Sequence, residues 1–86
     1  MTRAEVKRLV LEALVSAVPE AQPSAIDPEA PLREQLDIDS MDFINFVVAL
    51  DEALGVSVPE SEYGQLATLD ACVDYLTGKL GAPGGG

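Results

Sequence analysis

The side chains best suited to chemistry stand together at Asp39-Ser40-Met41. A serine hydroxyl becomes a nucleophile when an adjacent base removes its proton. The chain contains no histidine, so it can form neither a Ser-His-Asp nor a Cys-His arrangement. If Ser40 reacts, another protein must therefore activate it. The alternative is that Ser40 only caps a helix, as serine commonly does in a first turn.

Composition excludes several other kinds of site. The 86 residues include 15 acids and 5 bases, which leaves a formal charge of −10. Such a chain is not expected to bind a nucleic acid, because its charge repels a phosphate backbone. Cys72 is the single cysteine, which rules out an internal disulfide framework and a multi-cysteine zinc site.

The acidity is concentrated in the second part of the chain. Residues 34–86 hold ten acids and one base, a net charge of −9. Such asymmetry indicates either a partner-facing surface or a solvated surface that keeps the protein in solution. The sequence has no apolar run approaching the ~18 residues of a membrane span. Its N-terminus is charged, unlike a signal peptide. We therefore expect a cytoplasmic protein with no membrane span.

Two long amphipathic helices are predicted. Thr2 and Glu5 fit a capping box at the start of the first, which Pro19 closes. Asp39 is the expected N-cap of the second, which runs to Leu54. Its core stripe consists of Phe43, Phe46, Val47, Leu50 and Leu54. A second apolar stripe lies beside it, surrounded by acids, and we expect it to be exposed. That second stripe consists of Met41, Ile44 and Val48.

The connections and the last helix complete the predicted fold. Four prolines in residues 19–38 exclude a regular helix across most of that stretch, so a long loop joins the first two long helices. A short helical segment is expected over 60–66, and Thr68 or Asp70 caps a final helix. We predict an all-α, three- to four-helix bundle over residues 1–80, with a flexible Gly-rich tail at 81–86.

With this order of elements, the chain resembles an acyl carrier protein over roughly residues 2–80. The resemblance rests on Asp39-Ser40-Met41, on the acidic helix that ends in residues 49–55, on the link at 56–59 and on the closing residues 68–76. It implies a freestanding, monomeric carrier whose Ser40, flanked by Asp39 and Met41, holds 4′-phosphopantetheine. A phosphopantetheinyl transferase attaches that group from coenzyme A, and the thiol of the attached group then carries acyl groups as thioesters.

The resemblance also assigns two surfaces. The helix after the serine is the docking face for acyl-transferring, synthase or ligase enzymes with basic surfaces, and the carrier itself is not an enzyme. The candidate docking residues are Met41, Asp42, Ile44, Val48, Asp51 and Glu52. The bundle interior is the candidate acyl pocket, lined by Phe46, Leu50, Leu54, Val58 and Leu66.

Several residues depart from the family pattern and keep alternatives open. Asp37 stands where glycine is common, Met41 replaces the usual leucine, Asn45 replaces a frequent glutamate, and Phe43 is bulkier than usual. The resemblance implies a carrier for enzymes of fatty-acid, lipid or polyketide synthesis, and these departures leave room for a specialised pathway rather than the housekeeping fatty-acid one. An aminoacyl- or peptidyl-type carrier and an unmodified helical adaptor are the remaining alternatives.

Overall fold

The computed structural model describes residues 2–80, and every regular element among them is helical. Four α-helices are present: α1 (Arg3–Ala17), α2 (Leu32–Gln35), α3 (Ser40–Leu54) and α4 (Leu69–Leu80). Two 3₁₀ segments, Pro23–Ala25 and Glu60–Leu66, lie in the connections. The predicted all-α bundle with a long loop between its first two long helices is confirmed. The predicted flexible tail at 81–86 lies outside the described residues.

The first helix begins and ends where its sequence indicates. The Glu5 N–H donates to Thr2 Oγ1 at 3.2 Å, and the Thr2 N–H donates to Glu5 Oε1 at 2.9 Å, which completes the capping box. The hydrogen bond from the Thr2 backbone lowers the pKa of the Glu5 carboxyl. The helix ends before Val18, whose N–H donates to the carbonyl of Leu14 at 2.7 Å.

The core lies where α1 packs against α3 and α4. No polar or charged side chain is buried within residues 2–80, so burial of apolar surface is the main source of stability. The largest fully buried side chains are those of Phe46, Leu14, Leu32, Leu50, Leu66 and Leu76. None of the helices in this range combines the length and the hydrophobicity that a membrane crossing needs.

The long connection between α1 and α3 is ordered by contacts with the other end of the chain. The Leu32 N–H donates to the Ala67 carbonyl at 2.8 Å, and the Asp70 N–H donates to the Pro28 carbonyl at 3.0 Å. Ile26 and Leu32 are buried in the core. The loop is thereby attached to Ala67, just after the second 3₁₀ segment, and to the first turn of α4.

Local signals terminate α3 and start α4. Gly55 follows α3 with φ 70°, a left-handed conformation that glycine adopts without steric cost. After Pro59 comes the 3₁₀ segment Glu60–Leu66, in the place expected for a short helix. Thr68 caps α4, since its Oγ1 accepts from the Ala71 N–H at 3.0 Å, so Thr68 rather than Asp70 holds this role.

Candidate functional site

The backbone that leads to Ser40 is held by one amide side chain. Gln35 Nε2 donates to the carbonyls of Asp27 at 2.9 Å and Ala30 at 3.1 Å, while Gln35 Oε1 accepts from the Asp27 N–H at 2.9 Å. Ile38, two residues before the serine, is buried. Gln35 and Ile38 therefore anchor the loop on both sides of the turn that immediately precedes Ser40.

That turn contains an unusual backbone conformation at Asp37. Its φ is 53°, and it is the one residue other than glycine with a positive φ among the described residues. Aspartate tolerates the left-handed region better than most L-residues, but glycine is free of the steric cost. Glycine at this position would adopt the same conformation without that cost.

A reciprocal capping box starts α3. The Asp42 N–H donates to Asp39 Oδ1 at 2.8 Å, and the Asp39 N–H makes a longer contact of 3.4 Å with Asp42 Oδ2. The Asp39 carbonyl also accepts the Phe43 N–H at 3.0 Å. Asp39 is confirmed as the cap. The return contact from Asp42 was not predicted, although its spacing three residues after the cap is the signal for such a box.

Ser40 is the first residue of α3, and its side chain is exposed. Among the described residues, the N–H groups of Ser40 and Met41 have no acceptor, because the first donors of a helix lack an intrahelical partner. Free N–H groups at the positive end of a helix favour a bound anion. The site therefore fits a phosphodiester attached to the Ser40 hydroxyl, although Asp39 and Asp42 place negative charge beside it.

An apolar strip lies along the outer face of α3 and begins at the same end of the helix as Ser40. Met41, Ile44 and Val48, called the α3 strip below, are 69%, 42% and 49% exposed. Spacings of three and four residues place them on one helix face. The structure thus brings Ser40 and an exposed apolar surface together on one element.

The acidic docking candidates lie around the α3 strip in different environments. Asp42 is half-buried in the capping box, whereas Asp51 and Glu52 are exposed. Ser57 Oγ donates to Asp51 Oδ2 at 2.9 Å, so one oxygen of that carboxylate is engaged within the chain. Glu52 also lines a cleft of about 270 Å³ between α1 and α3.

The five acyl-pocket candidates are all in the core. Phe46, Leu50 and Leu66 have no exposed surface, and Leu54 and Val58 are buried. A groove of about 560 Å³ lies elsewhere, along the outer face of α1, and has a different lining. The assignment of these five residues to an acyl pocket remains a prediction.

A cluster beside the site was largely missed by the sequence reasoning. The guanidinium carbon of Arg33 lies 5.8 Å from the centroid of the Phe43 ring, within the range of a cation–π contact. The same ring meets Tyr63 edge-on at 5.2 Å and Phe46 at 6.2 Å between centroids. The sequence placed Phe43 in the core stripe of α3 and marked it as a bulky departure, but no periodic signal links it to Arg33 across the loop.

Comparison with known proteins decides the family. The profile described as "Phosphopantetheine attachment site" matches residues 9–76. An acyl carrier protein of Thermosynechococcus vestitus is 32% identical over 82 residues, which cover 95% of this chain and 100% of that protein. The chain belongs to the acyl carrier protein family. Membership implies a covalently attached 4′-phosphopantetheine and a carrier function.

Further relatives agree with this assignment to the acyl carrier proteins. The Campylobacter fetus acyl carrier protein is 36% identical over 86% of this chain and 90% of its own length. A 53-residue match to the Rubrobacter xylanophilus acyl carrier protein is 38% identical and covers 62% of this chain and 65% of that protein. A solved acyl carrier protein structure from Enterococcus faecalis superposes with a TM-score of 0.71 at 24% identity, over 88% of this chain and 95% of that one, which supports the fold.

Proposed function

We propose that Ser40 is the attachment site of 4′-phosphopantetheine and that the chain presents acyl thioesters to enzymes of fatty-acid, lipid or polyketide synthesis. The observation that carries this proposal is the exposed Ser40 hydroxyl at the capped start of α3, beside free backbone donors and within the matched residues. When attached, the group supplies a flexible arm whose thiol holds the acyl chain.

The chain's own residues position the serine and leave the proton transfer to a partner. Asp39 and Asp42 fix the first turn of α3, and Gln35 anchors the loop before it. The chain contains no histidine, and the neighbouring carboxylates of Asp39 and Asp42 are engaged with backbone N–H groups, so the proton of Ser40 Oγ is proposed to pass to a base of the phosphopantetheinyl transferase. In this proposal the chain positions the serine, the transferase supplies the base, and the chain is not itself an enzyme.

Partner enzymes are proposed to dock on the α3 strip. An apolar centre within a polar, charged rim is a common design for transient interfaces. The net charge of −9 on residues 34–86 would attract basic partner surfaces and raise the association rate at low ionic strength. A cytoplasmic location and a monomeric state remain predictions from the sequence.

Co-expression with a promiscuous phosphopantetheinyl transferase tests the attachment site. We expect the intact mass to rise by one phosphopantetheine group in the wild type and in the control Ser57→Ala, but not in Ser40→Ala. A wild-type protein that gains no mass would overturn the proposal, and so would a Ser40→Ala variant that is still modified.

The docking surface is tested by two matched substitutions. Val48→Ala shortens an exposed member of the α3 strip, whereas Val15→Ala makes the same change on α1, where the side chain is half-buried. Val48→Ala deletes two methyl-sized groups, worth about 0.8 kcal/mol each when fully buried. Because Val48 is 49% exposed in the free protein, docking removes only about half of that surface from water, so transferase kcat/KM should fall about fourfold. Equal kcat/KM values for the two variants would contradict docking on this strip.

A further inference from the structure

Arg33 occupies an exceptional place in the charge distribution. It is the only basic side chain between residues 9 and 78, and it lies on α2, shortly before Ser40. Asp37, Asp39 and Asp42 follow it closely in the sequence. An exposed arginine in such surroundings would be expected to pair with a carboxylate.

The structure shows a different arrangement. Arg33 forms no salt bridge with a carboxylate of the described residues, whereas Arg3, Arg8 and Lys79 each have one. Its guanidinium lies instead over the ring of Phe43, 5.8 Å from the centroid. This contact restrains the guanidinium and leaves its N–H groups available to an acceptor.

The position of Phe43 relates this cation to the candidate attachment site. Phe43 follows Ser40 by three residues on α3, a spacing at which Cβ atoms are about 5–6 Å apart. Phe43 is buried and meets Phe46 and Tyr63 edge-on, so its ring is a fixed support. Arg33 is thus held near the start of α3 by packing rather than by an ion pair.

A phosphodiester on Ser40 would add negative charge to a region that already holds three carboxylates. Two backbone N–H groups at the helix start favour it, but the described residues near the site offer one side-chain cation, Arg33. We propose that Arg33, oriented by the Phe43 ring, is the counter-charge for the phosphodiester on Ser40. This inference rests on the attachment site proposed above and makes Arg33 a positioning residue for the arm.

Nuclear magnetic resonance of the apo and holo proteins tests the pairing without any enzyme assay. The Nε–Hε resonance of Arg33 should shift when the wild type is converted from apo to holo, and the shift should shrink at high salt, because exposed ion pairs are screened. The resonance of Arg8, which is exposed and paired with Glu12 at 2.9 Å, should stay in place.

Melting temperatures provide a second readout. Arg33→Gln should lower the melting temperature of the holo protein more than that of the apo protein, and Arg33→Lys should restore part of the difference. Arg8→Gln should affect apo and holo forms equally.

Intact mass separates the two proposals. A complete mass gain with an unmoved Arg33 resonance, or with equal effects of Arg33→Gln on both forms, would overturn the counter-charge alone. A wild type that gains no mass would overturn the attachment site and the counter-charge together.

Discussion

Replacing Asp39 by alanine removes the cap of α3 while it leaves Ser40 in place. The change deletes the oxygen that accepts the Asp42 N–H at 2.8 Å. The return contact of 3.4 Å cannot compensate, because its donor is the backbone N–H of residue 39 and the Asp42 N–H is left without an acceptor. Loss of an N-cap of this type costs about 1 kcal/mol. For a domain of this size, that loss lowers the melting temperature by about 4–8 °C.

Asp39→Asn is the matched control, because asparagine caps helices as well as aspartate does. It removes a negative charge from the positive end of α3, a loss of roughly 0.3–1 kcal/mol, but it also relieves repulsion with Asp37 and Asp42. We therefore expect the stability of Asp39→Asn to stay within about 0.5 kcal/mol of the wild type.

Urea denaturation followed by circular dichroism measures the stability of both variants, and initial rates of transferase modification measure presentation of Ser40. Asp39→Ala should be less stable and slowly modified. If Asp39 acts through its cap, Asp39→Asn should be modified at a rate near that of the wild type. An Asp39→Ala variant as stable as the wild type would refute the capping argument. Equally slow modification of both variants would show that the transferase recognises the negative charge of Asp39.

Asp37→Gly should raise the free energy of unfolding by up to about 1 kcal/mol in urea titrations, because it removes the left-handed strain, whereas Glu34→Gly within α2 should lower it. A destabilised Asp37→Gly would contradict this. Burial raises the pKa of the Cys72 thiol to about 12, and desolvation with the hydrogen bond to Glu62 raises that of Tyr75 to about 12. Because the unfolded chain loses these protons first, stability should fall as pH rises above 9, and Cys72→Ala/Tyr75→Phe should fall less steeply in thermal melts across that range. An equally steep decline in the double variant would contradict this. Lengthening the acyl chain on the holo protein should shift the resonances of the five acyl-pocket candidates, while shifts confined to the surface around Ser40 would argue against sequestration.

Features that depend on local spacing were predictable from the sequence. The boundaries of the two long helices follow from Thr2, Glu5, Asp39 and Gly55, because caps act within three or four residues. The exposure of the α3 strip followed from its angular position on a helix whose opposite face is apolar. Burial of Cys72 on the apolar face of α4 was predictable for the same reason.

Features that depend on tertiary contacts were not predictable. The helix α2 has four residues, too few for a periodic pattern to reveal it. The amide contacts of Gln35 and the cation–π contact of Arg33 with Phe43 join residues across a loop, where sequence spacing carries no information. The positive φ of Asp37 could not be predicted either, since aspartate has no obligatory turn conformation. These are the contacts that orient the start of α3.

Mapping the modified residue by tandem mass spectrometry tests whether Ser40 carries the arm. The serines available for modification are Ser16, Ser24, Ser40, Ser57 and Ser61. Trypsin leaves the last three in one peptide, because no base lies between Arg33 and Lys79, so a protease that cleaves after acidic residues is needed. We expect the phosphopantetheine on the fragment that contains Ser40 and on no other. Its assignment to any other serine would contradict the proposed site.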